Sequence, residues 1–387
     1  MNSRHAFGRT LFVALSVTLA AFASVRCAQP SDEPTGQASG DAADEPTTTA
    51  TMHSDAASDA PTCSGDLRAD PKNCGRCGHD CLGGGCNAGT CQPIILASEQ
   101  LRPTEIALDA THVYFAAAAG SSILRVPVKG GPVDLVADDA TLGSNIALDD
   151  AYVYFMTGGY PNGGVARAPK AGKPDGGSTT IATAGFPVAF FALDDANVYW
   201  TGGRFTGGAV LGGVYEAPKG SMNGVGNKLV PALAAETTSV AVDDTNVYFA
   251  NVMGRIFSVT KGGTVGLLAT AQTGATGLLA DGKRVYWANG GQGSIVATDK
   301  PAADAGAATL KVLAAGQNQP ARIALDDVAI YFTSTGSGTI GSCPRSGCTD
   351  VVRLVASDQA APLGIAVDAV AVYWANSGNG TIMKVAK

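Results

Sequence analysis

The sequence predicts an all-β chain: a seven-bladed β-propeller of four-stranded blades over residues 93–387, preceded by a disordered linker and a small disulfide-rich module. Three observations carry this. A segment recurs seven times in which a short apolar run ends in Asp, and Tyr plus a second aromatic begin five residues after that Asp. Successive Asp residues lie 40, 45, 49, 38, 45 and 42 positions apart, the period of a propeller blade. No stretch shows a period of 3.6, so helix content should be low.

The copies are Ile106-Ala-Leu-Asp109 with Tyr114-Phe115, Ile146-Ala-Leu-Asp149 with Tyr154-Phe155, Phe191-Ala-Leu-Asp194 with Tyr199-Trp200, and Val240-Ala-Val-Asp243 with Tyr248-Phe249. Leu279-Ala-Asp281 with Tyr286-Trp287, Ile323-Ala-Leu-Asp326 with Tyr331-Phe332, and Ile365-Ala-Val-Asp368 with Tyr373-Trp374 complete the set. In the first copy, Glu105–Leu108 is the inner strand and Asp109–His112 a turn, with Asp favoured because its carboxylate bonds backbone amides. Val113–Ala117, Ile123–Val128 and Val133–Val136 follow as strands two to four. Neighbouring residues of a strand face opposite sides of the sheet, so one aromatic of each pair should fill the gap ahead and the other the gap behind. The seventh copy stops after its third strand, and the orphan strand at 93–98 should supply the fourth and close the ring, removing the open edge. Six and eight blades are the alternatives.

Residues 1–23 read as a signal peptide. Arg4 and Arg9 precede an apolar run from Leu11 to Ala23, too short for a comfortable bilayer span, and Ala21-Phe22-Ala23 fits a cleavage site. Cys27 lies just beyond and is the odd cysteine of nine, a candidate for lipidation, although Arg26 stands where a small residue is expected. Residues 24–62 form the linker. From 28 onward it has no aromatic, Lys or Arg and carries seven acids, among them Asp32, Glu33 and Asp59. Such a segment cannot bury enough apolar surface to order itself. The net charge of the chain is −7, so everything outside the linker sums to zero. No net basic field attracts nucleic acid, and membrane contact is expected only through the N-terminus. Residues 63–92 hold Cys63, Cys74, Cys77, Cys81, Cys86 and Cys91 among Gly, Asn and Asp. With almost no apolar side chains to form a core, this module is expected to be held by disulfides, whose pairing the spacing leaves open. Zinc or redox chemistry at Cys74-x-x-Cys77 is the alternative. Cys343 and Cys348 flank Pro344-Arg-Ser-Gly347, a tight-turn sequence that a further disulfide would cross.

The copies resemble the YWTD propellers of low-density-lipoprotein receptors. Tyr199-Trp-Thr-Gly202 comes nearest that tetrapeptide, with Tyr286-Trp-Ala-Asn289 and Tyr373-Trp-Ala-Asn376 related. The tetrapeptide's final Asp is absent, and that family has six blades, so its ligands and pH switch are not carried over. The fold also resembles seven-bladed bacterial lyases of the streptogramin type, whose site contains a His; the one His of the propeller, His112, belongs to a turn and does not match. The Cys-rich stretch is similar to those that follow the linker in exported bacterial lipoproteins, a resemblance that implies no activity.

A functional site should break the repeat. Glu105, Asn145 and Arg322 begin inner strands and are expected to line one mouth of the central channel, with Arg102 nearby. Calcium-dependent lactonase propellers place Glu, Asn and Asp there, so the cofactor expectation is none, with Ca2+ in the channel as the alternative. The loops between strands two and three of blades two and three expose Tyr160, Arg204 and Phe205, residue types that dominate binding hot spots. The expected function is that of an exported, membrane-tethered, monomeric module that binds a protein or glycan without catalysis, in the cell envelope or secreted. A metal-dependent hydrolase or lyase acting at the channel is the alternative.

Overall fold

The computed structural model describes residues 65–141, 145–158, 163–173, 175–183, 188–206, 209–230, 235–300, 309–348 and 351–387, with backbone alone at 203–206 and 209–212. The signal segment, the linker, Cys27, Cys63 and Tyr160 lie outside the described residues. All of the described chain belongs to one compact unit beginning at Asp59.

Seven antiparallel sheets form seven blades, and the described residues contain no α-helix, only a single 3-10 turn at Ala118–Gly120. Blade one runs from the inner strand Pro103–Leu108 through His112–Ala117 and Ser122–Pro127 to the outer strand Asp134–Ala137. The inner strands of blades two to six are Ile146–Leu148, Val188–Leu193, Thr237–Val242, Ala275–Ala280 and Pro320–Leu325. Blade seven comprises Pro362–Val367, Ala371–Asn376 and Thr381–Ala386 and takes its outer strand, Ile94–Ala97, from the other end of the propeller. Ile94 pairs with Lys384 and Ala97 with Ile382.

Seven buried clusters lie between the blades, and each joins the Tyr of one blade to the Phe or Trp of the next. Tyr114 shares a cluster with Phe155, Tyr154 with Trp200, Tyr199 with Phe249, and Tyr248 with Trp287. Tyr286 meets Phe332, Tyr331 meets Trp374, and Tyr373 meets Phe115 across the closing seam. The three Trp are fully buried. At about 25 cal/mol per Å² over roughly 200 Å², each contributes several kcal/mol as an upper bound.

The repeated Asp seals the same gaps by polar contacts. Its Oδ1 accepts the backbone N–H of the residue three positions on in every blade, as at Asp243 and Asn246 (2.8 Å). Its Oδ2 accepts the Tyr hydroxyl of its own blade at 2.6–3.1 Å. A cation at the end of the third strand of the following blade completes the group: Lys170 on Asp109, Lys219 on Asp149, Lys261 on Asp194 (2.6 Å), Lys300 on Asp243 (2.5 Å), Arg345 on Asp281 and Lys387 on Asp326 (2.6 Å). Partial burial opposes ionisation of Asp243, but Lys300 and two backbone N–H groups outweigh it and hold the carboxyl down at about 2. Asp326 is held at about 2 against burial in the same way, by Lys387 and the N–H groups of Ala329 and Val328.

The seventh rung differs. The equivalent position of blade one is Val128, whose N–H bonds Thr111 O as the N–H groups of the cations bond the turns of the other blades, and among the described residues Asp368 has no ion-pair partner. The buried Lys384 crosses the seam instead and donates to Val128 O at 2.9 Å. Burial pushes its ammonium below the usual lysine range, with Asp368 and Asp80 acting the other way.

Two features depart from the expected blades. Gly224–Val225 adds a fifth, parallel strand to the outer edge of blade two. The expected loop of blade three is instead a hairpin, Asn197–Thr206 against Ala209–Pro218, paired as far as Thr206 with Ala209. Arg204 and Phe205 are therefore strand residues, because the register set lower down by Tyr199 and Trp200 continues outward without a break.

The Cys-rich module is cross-linked by Cys74–Cys86 and Cys81–Cys91, and Cys77 is also disulfide-bonded. Its sulfurs join the buried cluster between blades six and seven, beside Tyr331 and Trp374. His79 lies between two carbonyl oxygens, with Nδ1 2.6 Å from Cys74 O and Nε2 2.7 Å from Lys387 O. The hairpin bond Cys343–Cys348 forms as expected.

Candidate functional site

The position four residues before each repeated Asp gives a second ring. Its members are Glu105, Asn145, Phe190, Ser239, Gly277, Arg322 and Gly364, and no two charged members are alike. Six of them line a cavity of about 380 Å³ that runs along the inner strands. From this ring toward the repeated Asp turns, the wall is apolar, from Ile106, Ile146, Leu148, Leu193, Val242 and Leu278.

Glycine at two ring positions decides which side chains meet. Gly364 stands between blades six and one, where an added Cβ would lie 2.7 Å from Glu105 Cα and from Ile106 N. With no side chain there, Arg322 reaches across blade seven to Glu105: Nε donates to Oε1 at 2.6 Å, and Nη2 lies 2.5 Å from the same oxygen. Gly277, at φ +60°, lets blade five approach the backbone of Ala321 and Arg322. Arg322 Nη1 donates to Thr276 Oγ1 (3.0 Å) and to Ala321 O (3.1 Å). A guanidinium has five N–H groups, so one Nη2 proton is left, together with the second carboxylate oxygen of Glu105, Oε2.

The remaining polar lining is committed to the fold. Asn145 Nδ2 donates to Phe191 O at 2.7 Å, and its Oδ1 accepts Phe191 N–H at 3.3 Å, tying blade two to blade three. Ser239 Oγ accepts Leu278 N–H at 2.9 Å, tying blade four to blade five. Among the described residues the cavity thus holds one carboxylate, already paired, and no His.

Of the residues singled out in the sequence, Glu105, Asn145 and Arg322 come together here. Arg102 does not. Its φ of +54° turns the chain just before the inner strand, its side chain is exposed, and it is absent from the cavity wall. Tyr160 is outside the described residues, and the side chains of Arg204 and Phe205 are not described. His112 is the first residue of the second strand of blade one rather than part of the turn, with Nδ1 2.8 Å from the Thr111 hydroxyl. Sequence reasoning missed Phe190 and Ser239 as wall residues, although counting four back from each repeated Asp finds them. Two further clefts, between blades two and three and between blades five and six, are walled by the Asp and cation groups already described. The sulfurs of Cys74, Cys81 and Cys91 lie within 4.8 Å of one another, but all three are in disulfides and are not the thiolates that zinc requires.

No family model matches the chain, and no curated protein matches it. Among solved structures it is similar to virginiamycin B lyase from Staphylococcus aureus, at 14% identity over 76% of this chain and 98% of the other, with a TM-score of 0.56. A streptogramin B lyase superposes with a TM-score of 0.55, at 14% identity over 76% of this chain and 96% of the other. The computationally designed Ika8 protein gives 0.53 at 13% identity, covering 76% and 98%. At such identities the likeness shows the fold alone, and a designed protein among the matches makes the same point.

Proposed function

We propose that the chain is a non-catalytic binding module, exported and tethered through its N-terminus, whose ligand occupies the channel beside the Glu105–Arg322 pair. The observation that carries this is the pairing of the one channel carboxylate. Glu105 shares Oε1 with two nitrogens of Arg322, so its charge is already balanced, which disfavours it as a general base or as the anchor of a cation. Asn145 and Ser239 are spent on neighbouring blades. General acid–base chemistry needs a positioned group free to exchange a proton, and these side chains act as ties. The apolar wall instead suits recognition by burial. It fits a glycan poorly, because the many hydroxyls of a sugar require uncommitted partners.

The rival reading, a metal-dependent hydrolase or lyase, makes a distinct demand. Elemental analysis of the purified full chain is expected to find no divalent ion in stoichiometric amount after dialysis without chelator. One equivalent of calcium or zinc that is lost in Glu105→Gln would overturn the binding reading.

A further inference from the structure

We infer that the channel takes a small molecule with an apolar, ring-sized body and one uncharged hydroxyl or amide end. This rests on the binding reading above and specifies its ligand. The cavity, about 380 Å³, is within the range of sites for small organic molecules. Leu148, Leu193 and Val242 offer the body no polar partner, and the half-buried Phe190 adds an aromatic wall. Burial of the ligand's apolar surface therefore supplies most of the affinity.

Orientation comes from the Glu105–Arg322 pair. Glu105 Oε2 is an acceptor without an intramolecular donor, and Arg322 keeps one Nη2 proton after its bonds to Glu105, Thr276 and Ala321. The two lie on adjoining groups of one ion pair, so the channel presents an acceptor beside a donor. A hydroxyl or primary amide satisfies both. A carboxylate meets the lone pairs of Oε2, and an ammonium meets an Arg322 whose charge is already balanced by Glu105. Either charged end also loses its hydration without gaining a full counter-charge, a cost that a neutral end avoids.

The test is isothermal titration of the full chain with three ligands on one ring system: 2-naphthalenemethanol, 2-naphthoate and 2-naphthylmethylamine, the last protonated at neutral pH. The alcohol is expected to bind with one-to-one stoichiometry and at least tenfold more tightly than either ion. Leu193→Trp, which fills the channel from blade three, should weaken the alcohol at least tenfold, and Ala280→Phe fills it from blade five should the first variant fail to fold. Glu105→Gln leaves Arg322 unbalanced and should move the preference toward the naphthoate. A wild-type chain that binds either ion as well as the alcohol overturns the ligand class while leaving a binding channel. Alcohol binding unchanged in a folded, filled variant, or no binding of any of the three, overturns the inference itself. The broader reading is judged separately, by the elemental analysis.

Discussion

The two rings of the propeller sit four residues apart and follow opposite rules. In the ring of Asp109, Asp149, Asp194, Asp243, Asp281, Asp326 and Asp368, every blade repeats one residue and one set of bonds to its own Tyr and turn. In the ring of Glu105, Asn145, Phe190, Ser239, Gly277, Arg322 and Gly364, nearly every blade differs. The aromatic contact that joins each blade to the next is made seven times over, and the ion pair six times, because the blades share one geometry. A surface that must fit something asymmetric cannot be. Repetition therefore marks what holds this molecule together, and its breakdown marks where it meets another.

Four experiments test that contrast. The largest effect should come from acid, which acts together on Asp109, Asp149, Asp194, Asp243 and Asp326, all held below the usual aspartate range. The carboxyls of Asp243 and Asp326 sit near 2 in the folded chain against an ordinary 3.8. A depressed folded value means that the stabilisation is complete above the ordinary value and is lost as protons bind on the way down. The urea midpoint should thus fall steeply between about pH 4 and about pH 2; a flat midpoint across that window would remove the ring from the list of stabilising features. Gly364→Ala comes next, since its Cβ would press on the backbone of blade one. A loss of about 1–3 kcal/mol in urea unfolding is expected, and with it displacement of Glu105 from Arg322; an unchanged stability would show that the seam is loose. Asp243→Asn removes the counter-charge of Lys300 but keeps a side chain of the same shape, at a cost of about 1–2 kcal/mol in the same assay. Asp195→Asn should be the smallest. Asp195 follows Asp194 in its turn but is exposed, and a change within about 0.5 kcal/mol is expected. A larger loss there would mean that both acids of the doubled turns are structural.

The sequence made the blades legible because Asp, Tyr and the second aromatic recur at fixed spacing within each copy. The cations that complete the ladder were not seen. Each lies 18 to 25 residues after the Asp of its own blade yet pairs with the Asp of the blade before, so no pattern confined to one copy contains the pair. The candidate site was legible in part. Glu105, Asn145 and Arg322 stand out as polar residues just before an apolar run, whereas Phe190 and Ser239 look like ordinary strand residues and declare themselves only by register. Arg102 misled because charge near a strand start does not fix direction, and a left-handed backbone at that residue points the chain elsewhere. The seating of the disulfide module against Tyr331 and Trp374 depends on three-dimensional neighbours 240 to 300 positions away, which local spacing does not encode.

The strand Ile94–Ala97 and its partner Thr381–Ala386 also set a timetable. During synthesis the first is made long before the second, and the last gap cannot fill until both exist. Contacts of such sequence separation slow folding, because loop closure precedes any reward. Blades one to six can form as the chain lengthens, each on the one before, while an unpaired strand waits at the start. The ring is thus finished in a single late event, and until then one exposed strand edge is open to pairing with another chain.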